Sequence, residues 1–353
     1  MTTQVAFLFP GQGSQIVGMG ADIFTASPAA RHVFKAVDQA LGFSLSELCF
    51  HGPEDSLRET INAQPAIVAV SLALLAAFQE ALSSPAHVPS WSSPLVPSYS
   101  AGHSVGEYAA LVAAGALDLE SAARLVRTRG QLMHHEGSVC PGGMAAIIGM
   151  DGQTLEAICQ EATAQTIGSL SPDARVHQGE GQVAIANFNA PGQIVISGER
   201  QALDLAMELV KARGAKRVIP LAVSGAFHSP IMQPAASDLA DAIDAANVHD
   251  AAIPIIGNID AMPLTGARAI RAELAQQIAS PVQWIRTIEY LAHVGVTIFL
   301  EIGPGQALTG MVKRIAKGGP SMNRGPTTIN IGGMAEVEKA VSTIRELGLI
   351  PDV

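Results

Sequence analysis

The sequence predicts an α/β protein: a large body on a parallel sheet, interrupted by a smaller ferredoxin-like βαββαβ insert. Short apolar runs ending in tight turns, at Val5–Phe9 and more weakly at Leu95–Ala101, have the pattern of parallel strands buried on both faces. Between residues 138 and 223 the order strand, helix, strand, strand, helix, strand can be read directly. After Ile253 the α/β rhythm returns, with Thr297–Ile302 as its clearest strand.

Along the chain, Val5–Phe9 is stopped by Pro10-Gly11. Ala66–Phe78 is apolar but falls short of the roughly 20 residues of a membrane span. It reads as a buried helix. After Leu95–Ala101 come Gly102-His103-Ser104-Val105-Gly106 and an Ala- and Leu-rich segment to Ala114, closed by Gly115. This is strand, sharp turn, helix. Asp118 suits the N-cap of the next helix, which passes Arg124, Arg127 and Arg129 toward Gly137. In the insert the strands are expected at Met144–Gly149, Val183–Phe188, Ile194–Ser197 and Arg217–Ala222, the helices at Thr154–Ala164 and Ala202–Arg213, with a polar loop from Gln165 to Gln182. The expected division is a body of residues 1–137 and 224–353 and an inserted subdomain of residues 138–223. Gly303-Pro304-Gly305 opens a helix, and the Ser/Pro/Gly-rich stretches Ser83–Ser98 and Gly318–Pro326 read as exposed loops.

Composition narrows the function classes. With 353 residues, 48% of them hydrophobic and 15% charged, the chain can bury a sizeable core. A net charge of −10 disfavours a sequence-independent grip on nucleic acid or on an anionic membrane. An acidic partner must therefore meet a local basic cluster. Two are candidates, Lys211, Arg213, Lys216 and Arg217 in the insert and Lys313, Arg314 and Lys317 after the Gly-Pro-Gly turn, and either could equally be a solvated helix face. Met1–Pro10 has no basic residue before its apolar stretch and no small-residue cleavage site, so a cytoplasmic location is expected. Cys49, Cys140 and Cys159 are odd in number and lack CxxC spacing, which points to reduced core thiols and to neither disulfides nor a zinc site.

Gly102-x-Ser104-x-Gly106 fits a nucleophile elbow, in which small neighbours let a serine sit on a strained strand-to-helix turn. The following helix N-terminus directs backbone N–H groups at a developing oxyanion, with Val105 N–H first. Of the ten histidines, His228 is the best candidate base, because Ser224-Gly225-Ala226-Phe227-His228-Ser229-Pro230 is a loop just after the last strand of the insert. His103, His134 and His135 read as structural or surface residues, and Arg124 and Arg127 as helix-surface residues.

Together Phe9-Pro10-Gly11-Gln12-Gly13-Ser14-Gln15, Gly102–Tyr108, Arg129-Gly130, Ala226-Phe227-His228 and Glu301–Gly305 resemble the malonyl-CoA:acyl carrier protein transacylases and the related acyltransferase domains of polyketide synthases. The resemblance runs through nearly the whole chain. It implies a hydrolase-like α/β body with a ferredoxin-like insert, and transfer of malonyl from malonyl-CoA to the thiol of an acyl carrier protein, in fatty-acid or polyketide synthesis, through a serine ester. It also implies Ser104 as nucleophile, His228 as general base, Gln12 and Val105 amides as the oxyanion hole, and the Gln277 carbonyl as the group orienting His228. Arg129 would hold the malonyl carboxylate with two parallel hydrogen bonds. Asn189 would contribute to the substrate pocket, although Asn189-Ala190-Pro191-Gly192-Gln193 reads first as a turn. Phe227 would narrow the space beside the malonyl C2, since Ala-Phe-His accompanies malonyl and Ala-Ser-His methylmalonyl among the polyketide relatives. No metal or prosthetic cofactor is expected; coenzyme A enters as a substrate thioester.

The alternatives are an acyl-carrier-protein acyl hydrolase of the same fold, a lipase-like enzyme with Asp151 or Asp204 as third member, and a catalytically silent carrier-binding subunit. Arg129 disfavours the first, the Gln12 and Gly-Pro-Gly signatures the second, and the intact Ser, His and Arg set the third. A dinucleotide site is disfavoured because Gly11-x-Gly13 and Gly303-x-Gly305 lack the third glycine of the fingerprint.

Overall fold

Val5–Phe9, apolar at every position, forms a strand with almost no exposed surface, as the central strand of a sheet covered on both faces must. A computed structural model of the chain describes residues 4–83, 95–169, 179–318 and 325–350. Its strands are β1 (Gln4–Phe9), β2 (Tyr99–Gly102), β3 (Gly142–Ile148), β4 (Val183–Ala190), β5 (Gln193–Glu199), β6 (Arg217–Pro220), β7 (Ile255–Ile256), β8 (Pro263–Leu264), β9 (Val296–Ile302) and β10 (Thr327–Ile331). The larger sheet has the order β10-β9-β1-β2-β7-β8, parallel throughout except for the β7–β8 pair. Phe9 is paired with Gly102, so the loops leaving β1 and β2 emerge side by side at the carboxyl ends of the strands.

The second sheet is antiparallel, in the order β4-β5-β3-β6. Helices Gly152–Ser169 and Arg200–Ala212 complete the βαββαβ order and bury Leu155, Ile158, Leu203, Ala206 and Val210 against it. This is the expected ferredoxin-like unit. The first of these helices runs to Ser169, into the segment expected to be a loop from Gln165. Residues 170–178, like most of the two Ser/Pro/Gly-rich stretches, lie outside the described residues. β2 starts at Tyr99 instead of Leu95, because Leu95 is buried in the body's core ahead of the sheet.

The apolar run at Ala66–Phe78 proves to be part of a longer helix, Thr60–Leu82, of 23 residues. Polar residues at its ends, among them Asn62, Gln64 and Gln79, hid its length. By length and composition alone it could cross a membrane, yet 83% of its apolar window is buried inside the fold. It packs against helices Pro28–Leu41 and Leu119–Val139 as the central helix of the body. The Asp118 side chain caps Leu119–Val139 as expected, accepting from Ser121 N–H at 2.7 Å. Midway along, a Cβ on Gly130 would lie 2.9 Å from Thr60 O, so only glycine lets the two helices approach this closely. That approach carries Arg129 inside. Cys49, Cys140 and Cys159 are free and buried.

The β2 turn is pressed onto the end of β1. A Cβ on Gly102 would lie 2.0 Å from Gly106 C, and one on Gly106 2.2 Å from Phe9 O. Neither glycine has a left-handed backbone; space alone requires them. Gly106→Ala is therefore expected to destabilise the protein by about 3 kcal/mol or more through overpacking, against about 1 kcal/mol for loss of the helix cap in Asp118→Ala. Thermal midpoints of the two variants check this, and an unchanged midpoint for Gly106→Ala would contradict the packing described.

Candidate active site

Ser104 sits between β2 and the helix Gly106–Ala113 with φ +52°, a left-handed conformation that costs a non-glycine residue about 1–3 kcal/mol. A side chain holds it there. Asn258, buried in the loop between β7 and β8, accepts from Ser104 N–H at 2.7 Å and donates to Gly102 O at 2.8 Å, bridging both sides of the turn.

His228 also has a left-handed backbone, φ +58°, and its N–H is tied to Ile278 O at 2.9 Å. The ring nitrogen Nε2 lies 2.7 Å from Ser104 Oγ. Nδ1 lies 3.0 Å from the Gln277 carbonyl oxygen and 3.1 Å from that of Ser280. Carbonyls only accept, so Nδ1 carries the hydrogen and Nε2 presents a lone pair to the serine hydroxyl. Burial, and secondarily the nearby Arg129 charge, bring the His228 pKa down to about 3. The imidazole is thus neutral and ready to accept a proton.

Arg129 is 1% exposed. Its Nη1 donates to Gln64 Oε1 at 2.5 Å, and its Nη2 to Gln277 Oε1 at 3.0 Å and to Ser104 Oγ at 3.1 Å. The guanidinium carbon lies 5.9 Å from the centre of the Tyr108 ring. Its neighbours on the helix differ. Arg124 is exposed beside Glu120, whereas Arg127, expected on the surface, is half-buried, donating to Ile61 O at 2.5 Å and Asn62 Oδ1 at 2.6 Å above the Phe43 ring.

Gln277 joins both groups. Its carbonyl meets His228 Nδ1, its Oε1 meets Arg129, and its Nε2 donates to Ser104 O at 3.2 Å and Glu107 Oε2 at 2.5 Å. Burial and the facing Glu273 push the Glu107 carboxyl well above the usual carboxylate range.

Gln12 follows β1 against the elbow, since a Cβ on Gly11 would lie 2.6 Å from His103 O. Its side chain donates to Thr60 Oγ1 at 3.2 Å. Neither Gln12 N–H nor Val105 N–H donates to another described residue. Phe227 is buried in the body's core with its ring folded over Gly225, where a Cβ would lie 2.8 Å from Cε1.

Asn189 lies within β4, one residue before its end, rather than starting the turn, and its Oδ1 accepts from His103 Nε2 at 2.8 Å. His103 is half-buried, with its ring edge-on to Trp284. Asn189 therefore links the second sheet to the residue before Ser104 and does not touch Ser104. Asp151 caps a helix through Thr154, and among the described residues no acid meets His228 Nδ1, so neither Asp151 nor Asp204 completes a lipase-like triad. In the basic clusters Arg213 is paired with Glu161, while Lys313, Arg314 and Lys317 are exposed and form no ion pair among the described residues.

Asn258 and Gln64 carry no signal in the sequence, and Glu107, within the Gly102–Tyr108 motif, has no role assigned there. Each is a single polar residue whose partner lies far along the chain.

The model of the acyl transferase domain family matches residues 6–346. The malonyl CoA-acyl carrier protein transacylase of Bacillus subtilis is 42% identical over 344 residues, covering 98% of each chain. That of Escherichia coli K12 is 40% identical over 314 residues, covering 89% of this chain and 93% of its own. Among solved structures, an acyl-carrier-protein S-malonyltransferase from Bartonella henselae superposes with a TM-score of 0.85 at 39% identity, covering 98% of this chain and all of the other. A malonyl-transacylase solved in complex with its type II polyketide acyl-carrier protein gives a TM-score of 0.84 at 37% identity, over 97% of this chain and 100% of that one. Matched along almost its whole length in both sequence and structure, the chain belongs to the acyl transferase domain family.

Proposed function

We propose that this chain moves a malonyl group from malonyl-CoA to the phosphopantetheine thiol of an acyl carrier protein, through a malonyl ester of Ser104. One observation carries the reading beyond acyl transfer in general. A buried guanidinium donates to the nucleophile's own Oγ at 3.1 Å, where only an acyl group bearing a carboxylate could repay its burial.

Ser104 Oγ attacks the thioester carbonyl carbon as its proton passes to His228 Nε2. The oxyanion takes hydrogen bonds from the Gln12 and Val105 amides. When the C–S bond breaks, the imidazolium returns the proton to the departing coenzyme A sulfur, leaving the ester. The carrier thiol then gives its proton to His228, attacks the ester, and Ser104 leaves with that proton. Two carbonyls on Nδ1 orient the ring without adding a negative charge that would raise its pKa. Arg129 holds the malonyl carboxylate, Phe227 narrows the space at C2, and Asn189 acts through His103 as a positioning residue. Coenzyme A is a substrate, and the steps draw on side chains and backbone amides alone.

The same reading treats residues 138–223 as a subdomain inserted between 1–137 and 224–353, supported by an antiparallel sheet drawn wholly from Gly142–Pro220. It places the enzyme in the cytoplasm, supported by burial in the core of the one helix among the described residues long and apolar enough to cross a membrane. Either basic cluster suits an acidic carrier, since Lys211, Lys216 and Arg217 in one and Lys313, Arg314 and Lys317 in the other are exposed, while Arg213 is paired with Glu161. A carrier-protein hydrolase would have no use for a carboxylate clamp beside its nucleophile.

A competition assay with malonyl-, methylmalonyl- and acetyl-CoA should show malonyl preferred. Arg129→Ala should lose malonyl transfer by several kcal/mol, about 3 to 5, since the substrate carboxylate would be buried unpaired, while acetyl transfer survives. Phe227→Ser should relax discrimination against methylmalonyl by about 1 to 3 kcal/mol. A wild type that prefers acetyl-CoA would refute the malonyl assignment.

His228→Ala should slow acylation by about 10² to 10⁴, read in a rapid-quench experiment. Because the His228 pKa is brought down to about 3, the neutral base persists as pH falls. Hence kcat/KM for malonyl-CoA should stay level through the ordinary histidine range near 6.5. A decline centred there would contradict the buried, neutral imidazole.

A further inference from the structure

Arg129 is held at both Nη nitrogens by carboxamides. Gln64 is completely buried on the helix Thr60–Leu82, and its Oε1 takes Nη1 while its Nε2 donates to Met133 Sδ at 3.3 Å. A guanidinium has no acceptor, so this amide orientation is fixed. Gln277 takes Nη2, and its own amide nitrogen is occupied by Ser104 O and Glu107. Among the described residues no carboxylate forms an ion pair with Arg129. Glu107 is hydrogen-bonded to it only through Gln277, and although its charge is felt at Arg129, burial pushes its carboxyl well above the usual carboxylate range, toward the neutral form. A buried arginine is ordinarily paired with an acid. Here both side chains that could be acids, at 64 and 277, are the neutral analogue of glutamate, and Gln64 alone of the two makes no contact with Ser104 or His228.

We propose that Gln64 is a specificity-determining residue: as a neutral acceptor it fixes the direction of the Arg129 guanidinium while leaving its charge uncompensated for a carboxylate-bearing acyl group. A glutamate in its place would set a carboxylate against Nη1, complete a buried ion pair, and oppose the incoming malonyl carboxylate. Gln64 does not touch the thioester. It acts through Arg129, and its effect falls on malonyl and not on acyl groups without a charge.

The inference rests on Arg129 being the carboxylate clamp. Were that wrong, the wild type would show no preference for malonyl-CoA; if only the role of Gln64 is wrong, the wild type prefers malonyl-CoA and Gln64→Glu prefers it equally. The experiment measures kcat and KM for malonyl-CoA and acetyl-CoA in wild type, Gln64→Glu and Gln64→Met, with thermal midpoints to confirm folding. Gln64→Glu should reduce the malonyl-over-acetyl ratio of kcat/KM by about 10²-fold, leaving acetyl transfer within about threefold of wild type, a split that a general packing defect would not produce. Gln64→Met keeps volume and neutrality but removes the acceptor. It should raise KM for malonyl-CoA while keeping the preference within about tenfold of wild type. Gln64→Glu with wild-type selectivity overturns the proposal. So does a folded Gln64→Met that loses selectivity as fully as predicted for Gln64→Glu, and that arm decides the matter alone if the glutamate variant fails to fold.

Discussion

The site is organised around a positive charge that the fold has buried and that forms no ion pair among the described residues. Arg129 lies within the core, between the central helix and the nucleophile turn, and every acceptor it meets is neutral: Gln64, Gln277 and the Ser104 hydroxyl. Burying a cation this way is costly unless a ligand returns the lost interaction. That cost becomes selectivity. The same charge helps keep His228 neutral, so in the proposed function one residue both selects the acyl group and favours the base's working form.

Parallel strands make this arrangement possible. β1 and β2 end level with each other, which brings the Gln12 amide alongside the Ser104 turn, and the glycines at 102 and 106 let the turn press against Phe9. Two residues there, Ser104 and His228, hold left-handed backbones that such side chains rarely adopt. Asn258 restrains the first through hydrogen bonds on both sides of the turn, and the Ile278 carbonyl restrains the second. The strain is held at the two atoms that must meet, Oγ and Nε2. Through Asn189 and His103 the smaller sheet also touches this turn.

Whatever depends on neighbours in sequence was legible. The glycines flanking Ser104, the Asp118 cap and the βαββαβ order are local patterns, and the structure reproduces them. Arg129 could be singled out from Arg124 and Arg127 only by resemblance, because three arginines on one helix look alike until packing buries one. Arg127 was misjudged for the same reason: its partners, Ile61 and Asn62, belong to a distant helix. The supporting side-chain contacts are not legible because they span 65 positions for Gln64 and Arg129, 154 for Asn258 and Ser104, and 170 for Glu107 and Gln277. A lone Gln or Asn carries no periodicity and no motif. The central helix is longer than its apolar run because polar residues at its ends, Thr60 and Gln64 buried, Asn62 and Gln79 half-buried, interrupt the apolar pattern.

The covalent step is the centre of the mechanism, and intact-mass analysis with peptide mapping tests it most directly. Wild-type protein mixed with malonyl-CoA should gain one malonyl group, located on the peptide containing Ser104, and lose it when phosphopantetheinylated acyl carrier protein is added, as the carrier gains the same mass. A folded wild type that transfers malonyl without ever carrying the adduct, or that carries it on a residue other than Ser104, would contradict the mechanism.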